Sequence, residues 1–476
     1  MQPVAHWSQG PLGVGVRGIA WDSRRVERGQ VFVAITGREH DGRRYIAEAV
    51  RRGAAAVVGE PPLGTWPVPT WEVADARLAL AELASAFYGH PGRELTVVGV
   101  TGTAGKSSTT EFLTAILAQA GVGVRAVGSL HPAPLDGPFP LTTPDAPVLQ
   151  HALREAVRAG CRAVVLEVSS HAIAMKRIGD IPFFGAVLTS LGHDHLDLHG
   201  SLAAYWGTKA QLLASVDPGG FTVLPAQGPG RVMMRRAARG RVIQYGIRSG
   251  DVRLNLRRDG RAMLVAAGVR EELRFHLVGP GPVRSAAAAA AAGVALGIEP
   301  RVIARGLQSV VTIPGRMERH PLPGGGEVVV DYAHNPPGLE SALRAARGLA
   351  RGRVVSVLGG RGTSDASKLP RMGQIIERWA DGLILTTDNP DPFTSRELAQ
   401  LIAEGVSDPQ FPVRFVEDRA EAIGLAVAGA RAGDVVLVTG RGHETWQRVN
   451  GLLRDGTDSE LVRDILQGAA ARISTG

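Results

Sequence analysis

The chain has 476 residues, 44% of them hydrophobic and 21% charged, with a formal net charge of +8 and a pI near 10.2. That length implies two to four domains rather than one core, and the single cysteine, Cys161, excludes a disulfide framework and fits a reducing cytoplasm. The basic charge is scattered and only 5% of residues are aromatic, so no nucleic-acid partner is expected; no apolar run reaches the roughly 18 residues of a membrane span.

In chain order, MQPVAHWSQGPLG lacks a basic stretch leading into an apolar one, so no signal peptide is expected. Block 1–95 carries short β-like segments, VFVAITG and AAAVVG, and one helix over Arg44–Arg52. It ends in the turn-forming run Gly89-His90-Pro91-Gly92-Arg93. Block 96–314 opens with the strand TVVGVTG, and its later runs RAVVLEVSS and FGAVLTSL read as buried parallel strands. Alternating residues on both sides of Asp259-Gly260 predict a hairpin, and the alanine run Ala286–Ala292 predicts a buried helix. Block 315–476 alternates five apolar strands with helical stretches of 10–15 residues, a rhythm that implies βαβ units and a parallel sheet. The expected class is α/β throughout.

Only four of the 53 basic residues are lysine: Lys106, Lys176, Lys209 and Lys368. Lysine persists among arginines where a compact ammonium or a nucleophilic amine is needed. Lys106 sits in Gly102-Thr103-Ala104-Gly105-Lys106-Ser107-Ser108, between an apolar strand and a helix. Backbone N–H groups of such a turn, with the positive end of the helix, cradle phosphate. Lys106 would neutralise that phosphate and Ser107 would offer a hydroxyl to Mg²⁺. ATP is therefore the expected cosubstrate. An ordinary glycine-rich turn is the competing reading, because the spacing is not that of GxxxxGK[ST]. A carboxylate at Glu167, after a buried strand, is costly unless paired or metal-bound.

The short form GT-x-GK-[ST] resembles that of the Mur ligases, the ATP-dependent amide-bond formers of peptidoglycan synthesis. Segment 22–46 resembles their UDP-binding domain, and TTPD (142–145), EVSSHA (167–172), DHLDLHG (194–200), YWGTKAQLL (205–213), PGRME (314–318), DYAHNP (331–336), DNP (388–390) and GRGHE (440–444) follow in order. The combination is similar to the branch that adds the third residue. The resemblance implies three domains: a small α/β UDP-binding domain (1–95), a central P-loop-type ATPase sheet (96–314) and a C-terminal Rossmann-like domain (315–476). It implies phosphorylation of the D-Glu side-chain carboxylate in UDP-MurNAc-L-Ala-D-Glu by ATP, then attack by the amine of a free amino acid. Glu167 and His195 become ligands of two Mg²⁺ ions, and Lys209 becomes a carbamylated lysine that also serves Mg²⁺. Asp22, Ser23 and Arg24 would hold the uridine nucleotide; Thr142, Thr143, Ser169 and Arg177 the muramyl peptide; Arg316, Asp331, His334 and Asn335 the ATP. Asp388, Asn389, Asp391, Gly440 and Glu444 would meet the incoming amino acid. A monomer is expected.

The chain departs from the family pattern in several places. Ala104 and Ser190 each replace an asparagine, and Gly281-Pro282-Val283-Arg284-Ser285 lacks both asparagines of the adenine-side segment. Ser364 and Asp391 stand where arginines would clamp the distal carboxylate of diaminopimelate, so an ammonium-ended substrate such as L-lysine or L-ornithine is expected. Lys368, in the same rewritten segment, is the residue that could restore a carboxylate site. The departures leave two competing readings open: a Mur-like ligase acting outside peptidoglycan, and a catalytically silent paralogue serving as a binding subunit.

Overall fold

The computed structural model describes residues 16–37, 40–133, 140–257, 259–362 and 365–474. Three α/β units follow one another, each on its own sheet. In the first, β1 (Gly18–Ala20), β2 (Gln30–Ala34), β3 (Ala56–Gly59) and β4 (Thr70–Glu72) lie side by side in chain order, all parallel. The helix expected at Arg44–Arg52 starts later, as Ile46–Arg51, because Gly42–Tyr45 winds first into a tighter turn capped by the Asp41 carboxylate.

The second unit carries a nine-stranded sheet: β5 (Thr96–Thr101), β6 (Val124–Val127), β7 (Ala163–Glu167), β8 (Phe183–Leu188), β9 (Val216–Pro225), β10 (Arg241–Gly246), β11 (Val252–Leu256), β12 (Arg261–Ala266) and β13 (Val269–Arg274). Their order is β13-β12-β11-β10-β9-β8-β5-β7-β6. Pairing is parallel from β6 through β11 and antiparallel over the last two strands, so the hairpin expected around Asp259-Gly260 forms as β11–β12. Strand β5 has β7 on one side and β8 on the other. The connection after β5 runs past β7 to β6, whereas that after β8 runs the other way, to β9; this divergence opens a crevice at the carboxyl ends of β5 and β8, and the phosphate loop sits there.

The helix Lys106–Gln119 leaves this crevice and packs against the helices Pro280–Ala295 and Pro300–Ser309. All seven alanines Ala286–Ala292 are fully buried, as the sequence predicts. Side chains this small let backbones approach closely. At Gly306 a β-carbon would come within 2.6 Å of the Ile116 Cα and 3.0 Å of its nitrogen.

The third unit is built on β14 (Glu318–Pro321), β15 (Glu327–Asp331), β16 (Val354–Gly360), β17 (Gly382–Thr387), β18 (Val413–Phe415) and β19 (Val435–Thr439), in the order β14-β15-β19-β16-β17-β18. Only β14 runs antiparallel. A separate hairpin, β20 (Trp446–Val449) with β21 (Leu452–Asp455), precedes the last helix, Asp458–Ser474. Asp458 anchors that helix: its carboxylate takes the buried Arg419 guanidinium in two bonds of 2.7 Å each. Among the described residues no helix is long and apolar enough to cross a membrane.

Gly306→Ala forces backbone apart at this helix crossing and should cost about 1–3 kcal/mol, as overpacking of a tight contact does. A β-carbon on Gly424, in the helix Arg419–Ala428, would meet no described atom within 4 Å, so Gly424→Ala should leave stability unchanged or slightly raised. Denaturant midpoints of the two variants measure the contrast.

Candidate active site

The phosphate loop owes its shape to two glycines. Gly102 has φ 153 and Gly105 φ 88; a β-carbon on Gly102 would lie 1.9 Å from the Thr189 hydroxyl. The loop is further tied to the end of β8. Thr189 Oγ1 donates to the Ala104 carbonyl (2.6 Å), and Ser190 Oγ both accepts from the Ala104 N–H (2.9 Å) and donates to its carbonyl (2.9 Å). The departures at 104 and 190 thus meet each other. Two lysine side chains share the Gly102 carbonyl: Lys106 Nζ at 3.0 Å and Lys209 Nζ at 3.1 Å. Lys209 is fully buried on the helix Leu202–Ala214, beside the Tyr205 ring. Burial drives its pKa well below the usual lysine value, and the Lys106 charge pushes the same way.

Glu167 ends β7 at the bottom of the crevice. Its Oε2 accepts from Ser107 Oγ (3.0 Å) and its Oε1 from the Ser129 N–H (2.9 Å). Burial raises its pKa, against the pull of Lys106 and Arg316. Arg316 reaches across from the third unit: its Nη2 donates to Ser107 Oγ (2.8 Å) while its guanidinium lies 4.3 Å over the Tyr332 ring. Asp331, whose pKa burial raises, accepts from the Met317 and Ala333 N–H groups and so fixes the turn that presents Arg316. These residues, with Thr103, Gly105, Ser108, His195, His334 and Asn335, line a cleft of about 470 Å³ between the second and third units.

One wall of this cleft carries Thr142, Ser169 and Arg177. Thr143 lies behind them and donates to the Glu167 carbonyl (2.8 Å), while Ser169 caps the helix Ser170–Ala174. Arg177 bonds the Thr143 carbonyl and pairs with Asp145 at 2.8 Å. Trp21 Nε1 of the first unit donates to that same aspartate (3.2 Å), which brings Asp22, Ser23 and Arg24 to this side of the molecule. Asp22 caps its own turn and holds the exposed Arg24; Ser23 is buried against Glu48.

His195 lies in a left-handed turn (φ 53) with its ring against His171. Burial brings its pKa down to about 3, despite Asp194. His193 bonds Asp365 and His199 packs on Tyr205, so both serve structural contacts.

The structure also shows what the sequence does not. Asp194 is buried and joins the units: it accepts from Lys368 Nζ (3.1 Å) and from Asn335 Nδ2 (3.0 Å). Burial alone would raise its pKa, but Lys368, with His195 and His334 adding to it, outweighs this and holds it below the usual carboxylate range. Lys368 is therefore committed to Asp194 and cannot restore a substrate site, as the sequence allowed. Ser364 lies outside the described residues. Asp391 does not present a free carboxylate to an ammonium, because the β20–β21 hairpin occupies both its oxygens. Glu444 is likewise engaged: Arg361 Nη1 and Nη2 grip it at 2.9 and 2.8 Å, and the Tyr332 hydroxyl and Asn389 Nδ2 add two more bonds. Arg361 also pairs with Asp388 and bonds the Gly440 carbonyl. Only the doubled glycine before it, Gly359-Gly360, marked this arginine's tight surroundings in the sequence.

Lys368→Met would leave the Asp194 charge buried and unpaired, a change that typically costs about 3–5 kcal/mol; accelerated proteolysis at the junction of the second and third units is the readout. The neutral His443 ring, half-buried against Tyr332, has its pKa depressed to about 2. A depressed folded pKa gives stability that is complete above the unfolded value, near 6.5, and is lost as pH falls below it. The thermal midpoint should therefore drop between pH 7 and pH 5, and His443→Gln should flatten that drop.

Three family models match this chain: the Mur ligase family catalytic domain over residues 15–88, the Mur ligase middle domain over 100–293 and the Mur ligase glutamate ligase domain over 315–442. A UDP-N-acetylmuramoyl-L-alanyl-D-glutamate–2,6-diaminopimelate ligase of Caldanaerobacter subterraneus is 35% identical over 98% of both chains. One of Pseudomonas putida is 37% identical over 95% of each. A solved structure with the same enzyme name superposes with a TM-score of 0.64 at 26% identity, covering 99% of this chain and 98% of the other. With the phosphate loop, the buried Glu167 and the bridging Arg316 in one cleft, the match extends along the whole molecule: the chain belongs to the Mur ligase family.

Proposed function

We propose that the protein is the ATP-dependent ligase that adds the third amino acid, a diamino acid, to UDP-MurNAc-L-Ala-D-Glu in the cytoplasm. The observation that carries this reading is Arg316. It is a cation of the third unit bonded to the phosphate-loop Ser107, so the joint between two units is also where ATP and an acceptor carboxylate would meet. The division of labour would follow the units 1–95, 96–314 and 315–476.

In the first step an oxygen of the D-Glu side-chain carboxylate attacks the γ-phosphorus of ATP, and the bond to ADP breaks. Two anions must approach, and Lys106 and Arg316 supply the fixed positive charge that stabilises the transferring phosphoryl group. In the second step the amine of the free amino acid attacks the acyl phosphate carbon. An amide forms, inorganic phosphate leaves and the amine loses a proton. Asp22, Ser23 and Arg24 would hold the uridine nucleotide. Thr142, Thr143, Ser169 and Arg177 would hold the muramyl peptide, and Asp331, His334 and Asn335 would steady the nucleotide side. Asp388, Asn389, Gly440 and Glu444 would frame the amino-acid pocket.

Ser107, Glu167 and His195 suit Mg²⁺. Among the described residues no cluster of three His, Cys, Asp or Glu side chains forms a cage, and Mg²⁺ characteristically relies on one or two carboxylates, substrate phosphates and water. Bound there, two such ions would neutralise phosphate and carboxylate charge. Lys209 is set up to become an anion: its burial and the adjacent Lys106 favour the neutral amine, which takes up CO₂ and releases a proton to give a carbamate.

Phosphate release from ATP should require both UDP-MurNAc-L-Ala-D-Glu and an amino acid; turnover that ignores the muramyl peptide would sink the reading. Lys209→Arg keeps a charge but cannot form a carbamate, and should reduce synthesis by about a hundredfold or more. Lys176→Arg, at a half-buried position outside the cleft lining, should stay within about twofold of the parent.

A further inference from the structure

The hairpin β20–β21 is not part of the third unit's sheet. It is fastened instead to the turn that follows β17. The Arg448 N–H donates to Asn389 Oδ1 (2.7 Å), and Gln447 Nε2 bonds the Asp388 carbonyl (2.7 Å). Asp391 completes the attachment: Oδ1 accepts from the Asn450 N–H (3.0 Å), and Oδ2 accepts from the Gly451 N–H (3.1 Å) and faces Arg448 Nε at 3.1 Å. A carboxylate with these three partners has little left to attract an ammonium.

The charges behind the hairpin are closed as well. Glu444 and Asp388 are matched by Arg361, whose guanidinium also meets the Gly440 carbonyl. Arg419 and Arg441 are buried around Asp458. Arg448 is different. Its contacts run through Nε and its backbone, its side chain is 42% exposed, and among the described residues no polar group meets its Nη1 or Nη2. This is the planar, two-pronged face that grips a carboxylate in paired hydrogen bonds.

A path of contacts, its last link made by the Arg448 backbone N–H, ties this hairpin to the chemistry. From the phosphate loop it runs from Ser107 to Arg316 (2.8 Å), to the Tyr332 ring (4.3 Å), to Glu444 (2.8 Å), to Asn389 (3.2 Å) and to Arg448 (2.7 Å). Arg448 is the outermost member of this path, and its guanidinium stands at Asp391, the position from which the distal end of the incoming amino acid is expected to be read.

We propose that Arg448, aimed by Asp391, is a specificity-determining residue that receives a distal carboxylate of the incoming amino acid. The substrate class is then a diamino dicarboxylic acid rather than lysine or ornithine. The proposal rests on the ligase reading above and reverses the selectivity expected from Asp391 as a bare acid.

The full chain is assayed with ATP, UDP-MurNAc-L-Ala-D-Glu and, in turn, meso-diaminopimelate, L-lysine and L-ornithine, with product mass as readout. The parent protein should prefer diaminopimelate. Arg448→Ala should raise KM for it by about 10- to 100-fold, the worth of a charge-assisted pair. The same variant should leave the kcat/KM for L-lysine unchanged, and Arg448→Lys should recover part of the loss. A parent preference for lysine or ornithine overturns the proposal while leaving the ligase reading intact. So does an Arg448→Ala effect equal for all three amino acids, which would mark a structural role. Absence of amide product with every amino acid, with ATP turnover indifferent to the muramyl peptide, defeats the ligase reading and the proposal with it.

Discussion

The buried carboxylate of Asp194 is the constraint on which the arrangement of the cleft depends. It belongs to the second unit, yet its partners Lys368 and Asn335 belong to the third. A charge in that position is tolerable only while both partners are present. The same pairing holds the third unit, which carries Arg316, against the unit that carries the phosphate loop. Asn335 also caps the helix Pro336–Leu349, accepting from the Gly338 N–H, so one amide links a helix start to the interdomain charge.

Around that joint the site is organised by sharing of partners. Ser107 serves both Glu167 and Arg316, and Gly102 serves both Lys106 and Lys209. Shared partners hold several charges in a small space, but each bond made is also one that a bound phosphate or carboxylate must replace. Binding of ATP and the acceptor would thus exchange contacts already formed inside the cleft for contacts with substrate, with little of the site built anew.

The fold is legible in the sequence wherever burial leaves a periodic trace. Strands β5, β7 and β8 read as apolar runs because both faces are covered, and the hairpin at Asp259-Gly260 reads from its alternation. The phosphate loop, Glu167 and Lys209 are legible because their residue types are costly or rare in that setting. What escapes is pairing across distance. Asp194 and Lys368 are 174 positions apart, and Arg361 reaches Glu444 across 83. Asp391 reads as a bare acid because nothing local announces that a hairpin some 60 residues on turns back to fill it. The sequence shows which charges are present; only the fold shows which remain unspent.

The alanine helix over Pro280–Ala295 has a further consequence. Alanine gives up no rotamer freedom on burial, so the seven residues Ala286–Ala292 are ordered at almost no side-chain entropy cost. They also have no alternative side-chain states through which their packing could relax. The first turn of that helix, with Gly281, Pro282, Arg284 and Ser285, forms part of the cleft wall. The wall's position is therefore set by backbone against backbone, and that surface behaves as a fixed reference against which the third unit registers.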